Sequence, residues 1–100
     1  MKNKVHCHIE SSHHSEDFKA LMKNRLSRIE GQIRGINRMI QEDVYCDEIL
    51  NQMAAVQSAL VSAGEKLLDA HIKNCVVEQI QGGRVEVVDE LMTTIKRLIR

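Results

Sequence analysis

Two of the three cysteines in the sequence fall in one long stretch of helix-forming residues, together with a histidine. His71 and Cys75 are four positions apart, so on a helix they share one face and could chelate the same ion. Cys46 lies 25 positions before His71, which corresponds to about 37 Å along a straight helix. The residue types therefore suggest a metal site, but one of its ligands is far from the other two.

A second copy of the chain would bring the separated ligands together. If this helix packs antiparallel against the same helix of a partner, Cys46 of one chain faces His71 and Cys75 of the other. Two equivalent sites would then form per dimer, around a two-fold axis near Leu60. A purely structural role is the alternative, because a buried cysteine commonly acts as a small hydrophobic group. Spacing alone leaves both interpretations open.

The donor set restricts the choice of metal. Two thiolates and one imidazole suit Cu(I) in a trigonal site, because thiolates favour soft ions. Zinc usually takes four ligands in a tetrahedron. A fourth nitrogen would instead permit a planar Ni(II) site.

The composition favours helix along the whole chain. The sequence contains no proline and only two aromatic residues, and strong helix formers dominate it. Residues 1–15 are polar and rich in histidine, which suggests a flexible tail, and residues 16–100 suffice for one small domain. No segment approaches the roughly 18 apolar residues of a membrane span, and the N-terminus lacks the apolar core of a signal peptide. We therefore expect a cytoplasmic protein, in which cysteines are thiols or metal ligands rather than disulfides.

The apolar pattern predicts an all-α fold with three helices. The first covers about residues 16–42 after a Ser15 cap, the second about 46–81, and the third about 84–99, with Gly82 and Gly83 ending the second. The second helix has two apolar rows, more than the first helix can cover, so a partner chain is expected. The main apolar rows are Met22, Leu26, Ile29, Ile33, Ile36 and Ile40 on the first helix, and Cys46, Ile49, Met53, Val56, Leu60, Ala63, Leu67 and Ala70 on the second.

The charge is unevenly spread although it sums to zero. Residues 18–41 hold six basic residues and one acidic residue, whereas residues 42–100 hold six basic and ten acidic residues. Arg25, Arg28 and Gln32 fall within one stripe of about 60° beside the apolar row of the first helix. This stripe could bind nucleic acid, and a solvated helix face is the alternative.

The stretches NRLSRIEGQIRGINRMI, EDVYCDEI and HIKNC resemble the copper-sensitive operon repressor family, CsoR. The resemblance covers residues 21–99. It implies a three-helix protomer that forms an antiparallel dimer, and two dimers that form a flat homotetramer without a helix-turn-helix. It also implies a Cu(I)-sensing repressor that binds a GC-rich inverted-repeat operator in the apo form and leaves it on Cu(I) binding, so that copper efflux or resistance genes are expressed.

The resemblance also implies roles for individual residues. The Cu(I) ligands match Cys46 of one protomer and His71 and Cys75 of the other, and Tyr45 and Glu90 match residues that support the metal-bound histidine.

On the first helix, the family's DNA contacts match Arg25 and Arg28, with Gln32 beside them. A further family arginine on the second helix is replaced here by Ser62.

Two other functions are compatible with the sequence. Nickel sensors of the same family have a tail histidine that aligns with His14. If this protein is a nickel sensor, Ni(II) is the ion it binds and His14 is the fourth ligand of that ion. A helical copper-buffering protein that never touches DNA could have the same metal site. An enzyme is not expected, because no acid is placed to orient His71 as a base and no oxyanion motif is present. The roles of four further tail residues stay undetermined: His6, Cys7, His8 and His13.

Overall fold

The structure of the protein, a computed structural model, describes residues 14–99. Every regular element in that range is helical, which confirms the predicted all-α class. The long helices are α1, Glu16–Gln41, and α2, Cys46–His71. A π-helical segment, Ile72–Val76, joins α2 to the short helix α3, Val77–Gln81, and α4 covers Val87–Ile99. The chain thus forms three helical rods, as predicted, while most of the predicted tail lies outside the described residues.

Helix α1 begins where the sequence places its cap. The backbone N–H of Phe18 donates to the Ser15 hydroxyl oxygen at 3.0 Å, which satisfies one of the amide groups that a helix start leaves unpaired. Glu16 and Asp17 in the first turn complement the positive end of the helix dipole. Helix α1 ends at Gln41, and Asp43 turns the chain with a φ of 56°, in the left-handed region that aspartate tolerates better than most residues.

The second rod contains a feature that the sequence pattern did not predict. The rod that the sequence predicted as one helix over residues 46–81 is interrupted by the π-helical segment at Ile72–Val76. A π turn holds one more residue than an α turn, and such turns are frequent at functional sites. The insertion changes the helical phase between α2 and α3, and it lies on the part of the chain that carries Cys75.

The turn before α4 depends on glycine. Gly83 has a φ of +92°, a conformation that glycine adopts without steric cost. The backbone N–H of Arg84 then donates to the Gln79 carbonyl at 2.9 Å, which closes the end of α3. Residues 84–86 remain in the turn, so α4 begins at Val87, three residues later than the sequence predicted.

The core lies where α1 and α4 pack on α2. Ile29 and Ile36 of α1 are buried there, together with Ala63 of α2. Helix α4 approaches α2 closely at Gly64, where an added Cβ would lie 2.8 Å from Cδ1 of Leu98. Leu98 lies in the last turn of α4, and it contacts Gly64 in the middle of the second rod. Helix α4 therefore packs back along that rod. Buried residues elsewhere are Ile49, Cys75, Val76 and Val87.

Part of each predicted apolar row remains exposed. The exposed residues recur every seven positions on both long helices, and their side chains are 41–52% exposed. They are Leu26, Ile33 and Ile40 on α1, and Met53, Leu60 and Leu67 on α2. Such rows are typical of helices that pack against another helix, so they support the expectation of a partner chain. Among residues 14–99, no helix is long and apolar enough to cross a membrane.

Candidate metal centre and DNA-binding surface

The predicted metal ligands lie at opposite ends of one helix. Cys46 is the first residue of α2 and His71 is its last, so α2 separates them by about 37 Å. Cys46 is exposed and has a free thiol, and His71 is half-buried. Within residues 14–99 of one chain, no three histidine, cysteine or acidic side chains are grouped so that they could hold a metal ion. A site built from Cys46, His71 and Cys75 therefore requires two chains.

His71 and Cys75 remain close along the rod. The π-helical segment begins directly after His71 and contains Cys75. Since a π turn is wider than an α turn, four positions complete less than one turn, and the two residues lie on adjoining sides of the helix. Helix geometry therefore still allows the two side chains to approach one another, and their joint role as ligands stays a prediction.

Cys75 differs chemically from the prediction. It is disulfide-bonded and fully buried, with 0% of its surface exposed. The expectation that the cysteines are thiols or metal ligands rather than disulfides is therefore wrong for Cys75 in this structure. Because the thiolate is the form that binds metals, Cys75 can act as a ligand only after reduction.

The two residues expected to support the metal-bound histidine are both exposed. Tyr45 directly precedes α2 and its side chain is 72% exposed. Glu90 lies in the first turn of α4. Within residues 14–99, neither side chain forms a hydrogen bond with His71. Their predicted roles remain predictions, and a partner chain would be needed for Tyr45 to reach a histidine at the far end of α2.

His14 lies beside the rod that carries Cys75. Its ring packs against Phe18, with 4.9 Å between ring centroids and a 34° tilt. The two residues line an open cavity of about 840 Å³ together with Lys73 and Asn74. Asn74 directly precedes Cys75, so the possible fourth ligand lies close to the His71 and Cys75 end of the same chain.

The predicted DNA-binding stripe is accessible on α1. Arg28 and Gln32 are exposed and Arg25 is half-buried. Among residues 14–99, none of the ion pairs involves either arginine, so both guanidinium groups can bind phosphate. Ser62, which replaces a family arginine, is exposed on α2 and lines a cavity with Phe18 and Glu65. The same cavity is also lined by Lys66 and Lys73, so the second rod keeps positive charge near Ser62 although the family arginine is absent.

Comparison with known protein sequences identifies relatives along most of the chain. The model of a family described as metal-sensitive transcriptional repressor matches residues 18–97. The copper-sensing transcriptional repressor CsoR of Bacillus subtilis is 40% identical over 90 residues, which cover 89% of each chain. The copper-sensing transcriptional repressor RicR of Mycobacterium tuberculosis is 46% identical over 79 residues, which cover 76% of this chain and 82% of the relative.

Solved structures show the same fold. The crystal structure of the copper-sensing repressor CsoR with Cu(I) from Geobacillus thermodenitrificans has a TM-score of 0.82 and 36% sequence identity, over 90% of this chain and 95% of the other. The nickel-responsive transcriptional regulator InrS has a TM-score of 0.67 and 38% identity, over 92% of this chain and all of the other. These similarities confirm the family inferred from the motifs, and the chain belongs to the metal-sensitive transcriptional repressor family.

Proposed function

We propose that this protein is a Cu(I)-sensing transcriptional repressor, which binds operator DNA without metal and dissociates when Cu(I) binds. The observation that carries the proposal is the match, over 90% of the chain, to a CsoR solved with Cu(I). Relatives at 40% and 46% identity are also named as copper-sensing repressors. The genes it controls would be those for copper efflux or resistance, and as a DNA-binding regulator it would act in the cytoplasm.

The metal site would form between two protomers. An antiparallel pair of α2 helices would place the exposed Cys46 thiol of one chain against His71 and Cys75 of the other. The midpoint between Cys46 and Cys75 lies close to Leu60, which is 51% exposed in the protomer. The exposed apolar row of α2 is therefore centred where the two-fold axis would pass. Burying this row against its copy would contribute about 25 cal/mol for each Å² of apolar surface removed from water.

The donor set fits Cu(I) once Cys75 is reduced. Two sulfur atoms and one imidazole nitrogen are soft enough to favour Cu(I) over harder ions. Cys46 and reduced Cys75 would lose their thiol protons on binding, so the apparent Cu(I) affinity should depend on pH. Bound Cu(I) would supply short bonds that tie the end of one chain's α2 to the start of the other's.

The DNA-binding surface would consist of the α1 stripes of all protomers, which the symmetry of the assembly would place on the same surface. Each protomer is formally neutral, but each would contribute Arg25, Arg28 and Gln32 on one face of α1. Arginines would neutralise phosphates and displace counterions, while the Gln32 amide could hydrogen-bond to bases or backbone. A flat homotetramer of two dimers would present four stripes to a GC-rich inverted repeat.

Metal and DNA would be coupled through the position of the helices. A metal held by His71 and Cys75 of one chain and by Cys46 of the other would link the ends of the two α2 helices, and Tyr45 and Glu90 would orient the His71 ring. Helix α1 packs on α2, so a movement of α2 shifts the stripes relative to one another. The coupling must be reciprocal, so DNA weakens Cu(I) binding by the factor by which Cu(I) weakens DNA binding.

Two alternatives make different predictions. His14 lines the same cavity as Asn74, the neighbour of Cys75, and the chain is similar to a nickel-responsive regulator. These two observations favour Ni(II) with His14 as fourth ligand as the second candidate. A copper-buffering protein would bind Cu(I) with the same residues but would not bind DNA.

The test is fluorescence anisotropy with a labelled GC-rich inverted repeat, under anaerobic and fully reducing conditions. The apo protein should bind, and one Cu(I) per protomer should release it. Release by Ni(II) alone, lost in His14→Ala, would instead identify a nickel sensor. The absence of DNA binding at any salt concentration would favour the buffering protein.

A further inference from the structure

The contact between Leu98 and Gly64 is the observation from which this inference starts. A Cβ added at Gly64 would lie 2.8 Å from Cδ1 of Leu98 and 3.4 Å from its Cδ2, so the glycine makes room for the leucine. Gly64 lies inside α2, where glycine is a poorer helix former than alanine. Its advantage at this position is the close approach that it allows, and the last turn of α4 packs directly against it.

This contact fixes the height of α4 along the second rod. Helix α4 follows the turn at Gly83 and runs back along that rod. His71 lies seven positions after Gly64, which corresponds to about 10 Å along the rod. Glu90 lies eight positions before Leu98, which corresponds to about 12 Å along α4. Because the two helices run in opposite directions, Glu90 lies at about the same height as His71 of the same chain.

Burial at the other end of α4 agrees with this register. Val87 begins α4 and is 4% exposed, and Cys75 in the π-helical segment is 0% exposed. Val87 is eleven positions from Leu98. Cys75 is likewise eleven positions from Gly64, so the two buried residues also lie at about the same height. Helix α4 is therefore packed at both of its ends, and Glu90 lies between them.

We propose that the packing of Leu98 on Gly64 positions Glu90 to hydrogen-bond with the His71 ring, and that the response to Cu(I) depends on it. The inference rests on the proposed function, in which Glu90 supports the metal-bound histidine. Among residues 14–99, the Glu90 carboxylate forms no ion pair, so it is available as an acceptor. A histidine ligand commonly donates its other ring N–H to a carboxylate, which fixes the orientation of the ring. Gly64 and Leu98 are thus positioning residues, which act through Glu90.

The experiment alters this contact without changing a proposed metal ligand. Gly64→Leu places a side chain where the methyl groups of Leu98 lie, so it should displace the last turn of α4. The double variant Gly64→Leu/Leu98→Ala exchanges the large and small side chains across the contact and restores the packed volume. Leu98→Met has a similar volume to wild type and is the control, because such exchanges are well tolerated.

Two quantities are measured on the full chain under anaerobic, reducing conditions. Amide hydrogen exchange of α4 in the metal-free protein reports how firmly this helix is packed. Fluorescence anisotropy with the labelled operator gives the affinity for DNA with and without Cu(I), and the ratio of the two affinities is the coupling factor.

In Gly64→Leu, the amides of α4 should exchange faster and the coupling factor should fall by at least about tenfold, the smaller effect expected for loss of a group that supports a ligand. Operator affinity without metal should not change, because the α1 stripe is intact. The double variant should recover both quantities, and Leu98→Met should match wild type. Glu90→Gln should also lower the coupling factor, and adding Gly64→Leu to it should lower the factor no further, since both changes remove the same interaction.

The inference is overturned if folded Gly64→Leu keeps the wild-type coupling factor although α4 exchanges faster. Independent, additive losses from Gly64→Leu and Glu90→Gln would overturn it too, as would a Glu90→Gln variant that responds like wild type. If Gly64→Leu does not fold, Leu98→Ala, which empties the contact from the other side, is judged by the same criteria. Failure of wild type to leave the operator on Cu(I) addition would instead refute the proposed function.

Discussion

Cys46 and His71 are the first and last residues of the same 26-residue helix. No rearrangement of side chains can bring them together within one chain, because α2 holds them about 37 Å apart. A metal site that uses both must be shared between two antiparallel copies of α2. Under the proposed function, metal binding at these residues would depend on assembly, and each can be tested through the other.

Replacing Cys46 by alanine should abolish the response to Cu(I) but preserve DNA binding. Cys46 is exposed and free, so the substitution removes a sulfur without opening a cavity in the core. The Cu(I) affinity, measured by competition with a chelator, should fall by more than about 100-fold, because loss of residues that only support a ligand already costs 10–100-fold. Apo operator affinity should not change. A variant that loses repression instead would contradict the assignment of Cys46 as a sensor ligand.

Replacing Leu60 by glutamate should break the dimer. Leu60 is 51% exposed in the protomer and lies close to the expected two-fold axis, so the two copies would bury facing, unpaired carboxylates, which costs several kcal/mol. Sedimentation velocity should show a shift to monomers and a loss of Cu(I) binding. Ser58→Glu adds the same charge on the opposite side of α2 and should leave assembly unchanged. Unaltered assembly of Leu60→Glu would move the interface elsewhere.

The helices could be predicted from the sequence because their signals are local. Ser15 caps α1 through an atom three residues from its partner, and Gly83 supplies the positive φ of the last turn. Helix α4 begins three residues later than the sequence pattern predicts, because Arg84 begins the turn instead of the helix. The contact of Leu98 with Gly64 was not foreseen, since it joins residues far apart in sequence and an isolated glycine in a helix gives no signal of what packs on it.

The site was less predictable than the fold. Spacing predicted that Cys46 is remote and that His71 and Cys75 are neighbours, because both statements need only helix geometry. The π-helical segment has no recognised sequence signature, and it changes the turn between His71 and Cys75. The disulfide at Cys75 could not be inferred from spacing, because it depends on chain folding and not on position along α2.

Removing the cap of α1 should destabilise the protein modestly. In Ser15→Ala the amide of Phe18 loses its acceptor, which costs about 1 kcal/mol. Urea unfolding followed by circular dichroism should show a lower midpoint with an unchanged slope. Ser27→Ala, at an exposed position inside α1, removes the same hydroxyl group and should be neutral or slightly stabilising because alanine is the better helix former. Equal midpoints for the two variants would show that the cap contributes nothing.

Replacing Arg28 by alanine should weaken operator binding and reduce its dependence on salt. Arg28 is exposed on α1, and none of the ion pairs among residues 14–99 involves it, so its charge is available to phosphate. The slope of log K against log salt should decrease in magnitude by about 0.9 for each copy of Arg28 that contacts a phosphate. Lys96→Ala removes the same charge from an exposed position on α4 and controls for net charge. If both variants lower the slope equally, binding depends on overall charge and the α1 stripe is not the DNA contact. A reduced slope in Arg28→Ala alone, with Cu(I) affinity unchanged in the absence of DNA, would place the DNA contact on α1, separate from the metal ligands at the ends of α2.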